Sequence, residues 1–344
     1  MLRNRRVLFG LAVSAIFLVL LLWQIDLSEI GTALKNAEPG WILLATPVYL
    51  LGLWLRAWRW QLVLRSTLPI SIGEAFAMMM VGFAANNLLP IRAGEVVRAG
   101  MLRQAHGVGW TIGFGTIIVE RVLDGLVLSA FLAITIAVAG GTALLTGLAL
   151  LAGAIGIGST VVLAALAWRL EASMRLITRL LRFAPTRFRP QLRAWIGGFI
   201  SGMTTLRGPR AWSVVMLATT LSWIAEAGAY WLVGLAFGLN VPALVYAGAL
   251  GAANLALAAP ATTGGVGPYE FFTREVVVAY GATAAAGTAY ALALHALIVA
   301  PLLVLGLLVL WRRRLGLHAL LDSQDDDATA AADTTATAQT GDGS

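Results

Sequence analysis

The stretch that decides the fold is residues 86–98, which read NNLLPIRAGEVVR. Pro90 removes a backbone donor and restrains the residue before it, so a helix that arrives from the N-terminal side must end there. Gly94 and Glu95 can begin a second helix, and the N-terminus of a helix favours an anion. Arg98 follows Glu95 by three residues, so these two side chains can face each other. The stretch therefore predicts a hairpin of two helices that is broken at a polar point.

The composition around this hairpin is that of a membrane protein. Of the 344 residues, 59% are hydrophobic and 12% are charged, about half the charged share of a soluble domain. A chain this apolar must be solvated by lipid and cross the bilayer several times. The lack of cysteine excludes disulfides, thiolate metal sites and cysteine nucleophiles, and three histidines leave little for zinc or haem. We expect no metal and no cofactor.

The charges are unevenly spread along the chain. The net charge is +7, and residues 169–210 hold nine arginines and one acid. In a membrane protein such a stretch indicates a cytoplasmic surface with anionic lipid head groups, not nucleic acid. Helical spacing of its apolar residues predicts an amphipathic Arg-rich connection. The acidic, Ala/Thr-rich residues 322–344 predict a disordered tail, which leaves 1–321 as the transmembrane domain.

Positive charge also limits the topology. Eight apolar segments are present, at about 7–23, 41–64, 72–89, 111–138, 143–167, 211–237, 243–259 and 283–310. If all eight crossed the membrane from a cytoplasmic N-terminus, the Arg-rich connection would lie outside, against the positive-inside rule. Six full spans and two re-entrant helical hairpins, at 72–105 and 243–275, place that connection and both termini in the cytoplasm. Helical spans, without the alternating strands of a barrel, favour the cytoplasmic membrane.

This topology contains an internal repeat. Each half consists of a span, a hairpin and a span, and the two halves have opposite orientation. The segments are 41–64, 72–105 and 111–138, then 211–237, 243–275 and 283–310. Secondary transporters use such inverted repeats with broken helices. The predicted fold class is therefore an all-α polytopic membrane protein with about six transmembrane helices and two re-entrant hairpins in an inverted repeat.

The second hairpin carries its own motif, PATTGGVGPYE, at residues 260–270. Three glycines could present backbone amides to a phosphate: Gly264, Gly265 and Gly267. The motif lacks the Lys-Ser/Thr of a nucleotide-binding P-loop, and no strand precedes it. Glu270 and Arg274 are four residues apart and could pair on one helix. The alternative, that the glycines serve close helix packing, stays open here.

Several ionisable residues lie inside apolar segments. Glu120 and Asp124 are four residues apart and share a helix face, with Arg121 beside them. Each charge costs roughly 2.5–3.5 kcal/mol in the middle of a span, so such groups face polar cavities and pair. The three residues could form ion pairs, carry a proton, or simply mark the membrane interface. Glu226 lies in the middle of a segment without a nearby partner, which favours an ion pair or a functional role.

Other polar residues have simpler interpretations. The Arg/Trp-rich residues 54–65 are typical of side chains that anchor a span at the membrane interface. His295 is interpreted as a packed helix residue. In the first hairpin, Asn87 and Arg92 flank the break, where an ordinary loop in water remains the alternative.

Together the motifs resemble a known family. NLLPIRAGEVVR at 87–98, ERVLD at 120–124 and PATTGGVGPYE at 260–270 are similar to motifs of the lysylphosphatidylglycerol synthase transmembrane-domain family. The resemblance covers roughly residues 5–315. It implies movement of a lipid with an anionic or modified head group between leaflets. In fused relatives the synthase reaction belongs to a soluble domain, and only about thirty acidic, low-complexity residues follow Arg314 here.

The resemblance and the motifs lead to a function. We expect a flippase for an anionic phospholipid or a polyprenyl-phosphate-linked lipid, and not an enzyme. Three arginines would neutralise the phosphate: Arg92, Arg98 and Arg274. Asn87 and the backbone amides of Gly94 and of the three glycines of the second hairpin would add hydrogen bonds. Six further residues would form ion pairs or couple a proton: Glu95, Glu120, Arg121, Asp124, Glu226 and Glu270.

Two alternatives stay open. One is an accessory subunit of a cell-envelope lipid or glycan complex, and the other is a membrane enzyme that acts on a lipid phosphate. The expected partners are membrane lipids, with a second copy of the chain or an envelope-synthesis protein left open, and no nucleic acid.

Overall fold

The computed structural model describes residues 5–22, 27–65, 67–89, 93–168, 179, 208–257 and 263–313, with the backbone alone at 5–11, 163–168 and 263. This part of the chain contains helices and no strand. Its α-helices are α1 Arg5–Leu22, α2 Leu27–Asn36, α3 Pro39–Leu64, α4 Ile72–Leu88, α5 Gly94–His106, α6 Trp110–Ala139, α7 Ala143–Trp168, α8 Pro209–Ala236, α9 Ala243–Ala256, α10 Pro268–Ala279 and α11 Ala284–Arg313. A short 3₁₀ helix covers Thr263–Gly265. The all-α prediction is confirmed.

Four helices of the described part are long and apolar enough to cross a membrane: α3, α6, α7 over Ala143–Val162, and α11. The bent pair of α1 and α2 would make a fifth if it forms one span. Helix α8 has 28 residues but is not in this group, because tryptophans, hydroxyl side chains and Glu226 lower its hydropathy. A multi-pass membrane protein is therefore confirmed, while the count of six full spans stays a prediction.

Both predicted hairpins are pairs of helices with a break. In the first, α4 ends at Leu88 and α5 begins at Gly94, and in the second, α9 ends at Ala256 and α10 begins at Pro268. The two helices of each hairpin pack against each other. Residues 90–92 and 258–262, within the breaks, lie outside the described part, as do the tail at 322–344 and most of the connection at 169–210. That the hairpins are re-entrant stays a prediction.

The helices of the two predicted halves pack in matching pairs. Helix α3 packs along α8, so the first helices of the two halves meet. Helix α4 of the first hairpin packs against α11, and α9 of the second hairpin packs against α6. Each hairpin thus lies on the last helix of the other half. The core around this arrangement holds fully buried aromatic side chains such as Tyr49, Trp60 and Tyr230.

A pair of glycines brings the helices of the first hairpin close together. A Cβ on Gly94 would lie 2.1 Å from the carbonyl oxygen of Gly82, and a Cβ on Gly82 would lie 2.5 Å from Cγ of Arg98. Both distances are far below van der Waals contact, so only glycine fits at either position. This close crossing determines where α5, and with it Arg98, lies against α4.

Candidate functional site

A cavity of about 130 Å³ lies between α3, α8, α11 and the two hairpins. We call it the central cavity. Apolar side chains such as Leu53, Phe83 and Ile298 form part of its wall. Its polar and charged lining residues are Arg56, Asn86, Asn87, Arg121, Glu226, Asn254 and His295. Such a concentration of polar groups within apolar helices is the usual mark of a substrate or ion pathway in a membrane protein.

Four charged side chains form a buried network beside this cavity, and we call them the buried arginine network: Arg59, Arg98, Glu120 and Asp124. Arg59 of α3 donates to Asp124 and, at 3.3 Å, to Glu120 of α6. Arg98 of α5 donates to the second oxygen of Glu120 at 2.8 Å. The indole Nε1 of Trp223 donates to Asp124 at 2.9 Å. The network thereby joins α3, α5, α6 and α8.

The network is balanced in charge, with two cations and two anions. Each ion costs several kcal/mol to bury, and the pairs offset this cost only with good geometry and further hydrogen bonds. The helical spacing of Glu120 and Asp124, four residues apart, points both carboxylates at Arg59. Arg98 also lies over the ring of Trp60, 4.1 Å from its centroid, a cation–π contact. This makes the network a scaffold for the cavity wall.

A second buried ion pair forms part of the cavity wall itself. Arg56 of α3 donates to Glu226 of α8, and the guanidinium carbon lies 3.9 Å from the ring centroid of Trp223. Arg56 is one helical turn before Arg59, so α3 presents one arginine to the cavity and one to the buried network. Glu226 pairs as expected for a carboxylate in an apolar segment. The prediction that residues 54–65 anchor at the interface is wrong for Arg56 and Arg59, which lie against carboxylates inside the protein, Arg59 buried and Arg56 partly buried.

The first hairpin presents two asparagines to the cavity. The side-chain oxygen of Asn86 accepts the N–H of Gly94 at 2.7 Å, which caps the start of α5. The side-chain nitrogen of Asn87 donates to the carbonyl of Phe83 at 2.8 Å. Its oxygen would lie 3.1 Å from a Cβ on Gly264, so Asn87 faces the second hairpin. The amide of Gly94, predicted to bind a phosphate, already has a partner.

The pairing expected within α5 is replaced by pairing between helices. Glu95 accepts from Arg121 of α6 at 2.9 Å, and Arg98 turns to Glu120 instead of Glu95. The side chain of Arg121 is 48% exposed and that of Glu95 is 27% exposed. This is therefore the most accessible of the arginine–carboxylate pairs around the cavity in the described part. Arg121 balances a carboxylate as predicted, although the carboxylate comes from the hairpin.

The second hairpin is held to α11 through a histidine. Nδ1 of His295 lies 2.5 Å from a carboxylate oxygen of Glu270, and Nε2 lies 3.2 Å from the carbonyl oxygen of Gly264. The other oxygen of Glu270 accepts the N–H of Gly267 at 2.7 Å. Three glycines of the break have positive φ, which side chains rarely adopt: Gly264, Gly265 and Gly267. Only Gly264 among these glycines lines the cavity.

The expected pair of Glu270 and Arg274 does not form. Arg274 donates to its neighbour Glu275 at 2.5 Å and is not part of the cavity lining. His295 is a packed helix residue, as the sequence indicates: it is buried, and its ring centroid lies 4.5 Å from that of Tyr269. It also lines the cavity and contacts Glu270, which the sequence does not indicate. Histidine alone in an apolar helix gives no sign of its partner. The sequence does contain one indication of that partner, the carboxylate of Glu270 in the first turn of the preceding helix.

The structure thus separates the predicted site residues into groups. Asn87, Arg121, Glu226 and Gly264 line the central cavity. Three others belong to the buried arginine network: Arg98, Glu120 and Asp124. Arg92 lies outside the described residues. Sequence reasoning missed four residues of the site: Arg56, Arg59, Asn86 and His295. Within the described part, no three His, Asp or Glu side chains gather where they could hold a metal ion.

Comparison with known proteins places the chain in a family of membrane proteins. A family model described as the lysylphosphatidylglycerol synthase TM region matches residues 7–306. A UPF0104 membrane protein of Methanothermobacter thermautotrophicus is 25% identical over 288 residues, which cover 79% of this chain and 83% of that protein. A second protein of that name and organism is 33% identical over 118 residues, about a third of each chain.

A longer relative has an enzyme name. Glycosyltransferase AglD of Haloferax volcanii is 27% identical over 323 residues, which cover 84% of this chain and 51% of that protein. The chain therefore spans about half the length of this relative. No solved structure matches.

Proposed function

Because the chain belongs to the lysylphosphatidylglycerol synthase transmembrane-region family, we propose that it is a lipid translocase. It would move a lipid with an anionic head group between the leaflets of the cytoplasmic membrane, without making or breaking a covalent bond. The observation that carries the proposal is the central cavity, where two arginines and three asparagines meet inside apolar helices. A head group needs such a polar path, while its hydrocarbon chains stay in the bilayer.

The charges of the cavity suit an exchange of anions. Arg56 and Arg121 both line it, and each already pairs with a carboxylate, Glu226 and Glu95 respectively. A guanidinium binds carboxylate and phosphate in the same two-pronged geometry, so a lipid phosphate can replace a carboxylate on the same arginine. The carboxylates would stabilise the arginines while the site is empty. The most exposed pair, Arg121 and Glu95, would open first.

The packing of the helices supports an alternating mechanism. Each hairpin lies on the last helix of the other half, and α3 packs along α8, as an inverted repeat would require. In transporters with such repeats, one half moves against the other around a site near the middle of the membrane. The central cavity lies between the two hairpins. We infer the same arrangement here, with both termini in the cytoplasm.

A leaflet-resolved transport assay tests the proposal. Purified protein is placed in liposomes with a trace of fluorescent phosphatidylglycerol, aminoacylated phosphatidylglycerol or polyprenyl phosphate, and quenching from outside reports movement. We expect faster movement of one lipid than in protein-free liposomes. Asn87→Leu should abolish the gain, because it removes a polar cavity group at similar volume. Asn36→Leu, the same change at an exposed position, should not. Equal rates with and without protein for all three lipids would refute a translocase.

A second function has one observation in its favour. The match to about half of a protein named glycosyltransferase suggests a membrane unit that presents a lipid to a separate enzyme. Such a unit would bind lipid in the central cavity without moving it. Lipid binding by wild-type protein, lost in Asn87→Leu, together with unchanged movement in the liposome assay, would favour this role over transport.

A further inference from the structure

We propose that an apolar groove between α6, α7 and α9 holds one hydrocarbon chain of the lipid whose phosphate enters the central cavity. This inference rests on the proposed function and extends it, because it says where the hydrophobic part of the substrate lies. We call the site the chain groove. It has a volume of about 420 Å³. Its lining is apolar apart from Arg121 and Ser159 and includes Gly125, Leu148, Gly156 and Leu255.

The chain groove and the central cavity adjoin at one side chain. Arg121 lines both of them. On α9, Asn254 lines the cavity and the next residue, Leu255, lines the groove. A lipid with its phosphate on the guanidinium of Arg121 would therefore have its polar part toward the asparagines and its chain against the apolar side chains. No other charged side chain lines the described groove, so the groove itself suits hydrocarbon only.

The length of the groove fits one leaflet. Along α7 it runs from Leu148 to Ser159, which at 1.5 Å per residue is about 16 Å. The hydrocarbon core of a bilayer is about 30 Å thick, so one leaflet supplies about half of that depth. A chain in the groove would thus stay within its own leaflet while the head group is bound. The occupant we infer is one acyl or prenyl chain of a lipid phosphate.

Gly125 provides the room for that chain. It lies one turn after Arg121 on α6 and lines the groove, and a Cβ there would meet no atom within 4 Å. The space beside Arg121 is therefore open, whereas Gly156 on the opposite wall packs its helix against Leu126, with a Cβ distance of 3.3 Å. A Cβ added at position 125 therefore points into open space of the groove and meets no atom of α7.

The natural absence of cysteine makes a direct test possible. Gly125→Cys places a thiol in the groove. Gly153→Cys is the matched control, since Gly153 is also half-buried in a helix, has nothing within 4 Å of a Cβ and is not part of the groove lining. Each variant, purified in detergent micelles, is labelled with a lipid-soluble maleimide, with and without phosphatidylglycerol or polyprenyl phosphate. Glycerol phosphate, a head group without chains, completes the set.

We expect one of the two lipids to slow labelling of Gly125→Cys by about tenfold at saturation, and to leave Gly153→Cys unchanged. Glycerol phosphate should protect neither. Which lipid protects distinguishes a phosphodiester from a phosphomonoester head group. Equal labelling of Gly125→Cys in the presence and absence of both lipids would overturn the inference.

A second variant connects the groove to transport. Gly125→Leu should reduce lipid movement in liposomes by about tenfold, and Gly153→Leu should not, because only the first fills the groove. If Gly125→Leu transports normally and lipid does not protect Gly125→Cys, the groove does not bind a lipid chain, and the translocase proposal is unaffected. Protection without any transport by wild-type protein would instead keep the groove as a lipid site and remove the translocase.

Discussion

In the first hairpin, Glu95 in the first turn of α5 meets Arg121 on α6, and in the second hairpin, Glu270 in the first turn of α10 meets His295 on α11. In each half, therefore, a carboxylate at the start of the hairpin's second helix meets a basic side chain on the helix that follows. The first pair is partly exposed and contains an arginine, which is always charged. The second is buried and contains a histidine.

The two pairs also differ in the residue that precedes the basic side chain, which is Glu120 before Arg121 and Leu294 before His295. Glu120 precedes Arg121 and binds Arg98, which ties the first hairpin into the buried arginine network. Leu294 precedes His295, and Arg274 of the second hairpin turns to its neighbour along the chain. The first hairpin is thus anchored by fixed charges and the second by packing and one histidine. In both predicted halves a hairpin carboxylate meets the helix that follows, but the basic partner differs in kind and in exposure.

The largest expected effect comes from removing the centre of the first half's anchor. Arg59→Ala leaves Glu120 and Asp124 buried with much less compensation, and such a change costs about 3–5 kcal/mol of folding free energy. Thermal unfolding in detergent should show a large fall in the midpoint. Arg65→Ala, an exposed position just after the same helix, should change it little. Equal midpoints for the two variants would show that the network does not stabilise the first half.

A change in the partly exposed pair of Arg121 and Glu95 should lower the rate of transport while leaving the free energy of unfolding nearly unchanged. Arg121→Gln is expected to slow lipid movement by about tenfold or more, because one guanidinium contact to phosphate is worth roughly 1.5–3 kcal/mol. Its effect on unfolding should stay below about 1 kcal/mol, as for other exposed ion pairs. Transport and thermal unfolding are measured on the same preparations. A variant that unfolds easily, or one that transports normally, would contradict a role for Arg121 in head-group binding.

His295→Ala should increase the local opening of residues 263–267, the break before α10, without lowering the stability of the whole fold. His295 contacts Gly264 and Glu270, and Glu270 in turn accepts from Gly267. Hydrogen exchange of the amides at 263–267 should therefore rise about tenfold, since the break loses its attachment to α11. Glu95→Gln, the change in the corresponding pair of the first half, should leave these amides as they are. Unchanged exchange in His295→Ala would mean that the histidine does not position the break.

The smallest effect is expected at Arg274. Its side chain pairs with Glu275 along the same helix and lies apart from the central cavity, so Arg274→Ala should lower the unfolding midpoint less than Arg59→Ala does. Transport should stay within about twofold of wild type. A strong loss of transport in this variant would bring the second hairpin's arginine back to the head group, and would make the two halves more alike than their contacts indicate.

Much of this arrangement can be predicted from the sequence. Helix breaks follow directly from Pro90 and the glycines after Pro260, and the carboxylates in α6 and α8 pair as their burial demands. The breaks depend on local backbone chemistry, and the need of each carboxylate for a partner follows from its position in an apolar segment, so the sequence alone indicates both. The division of the chain into apolar segments likewise follows from composition.

The choice of partners could not be predicted in the same way. Arg56 and Arg59 have the spacing and neighbours of an interface anchor, and only the distant Asp124 and Glu226 make them part of the site. Glu95 and Arg98 satisfy a helical pairing rule, but α6 offers both of them a better-placed partner. Which of several possible partners meets a charge depends on how helices cross, and glycine contacts between α4 and α5 decide that crossing.

The central claim, that an anionic lipid moves through the central cavity, is tested most directly by removing the ion pair between α3 and α8 from the cavity wall without emptying the cavity. The double variant Arg56→Met with Glu226→Leu removes one buried ion pair at similar volume, a change that proteins often tolerate with little loss of stability. We predict that this variant folds, inserts into liposomes and fails to accelerate lipid movement. Movement at the wild-type rate by the folded double variant would contradict the claim.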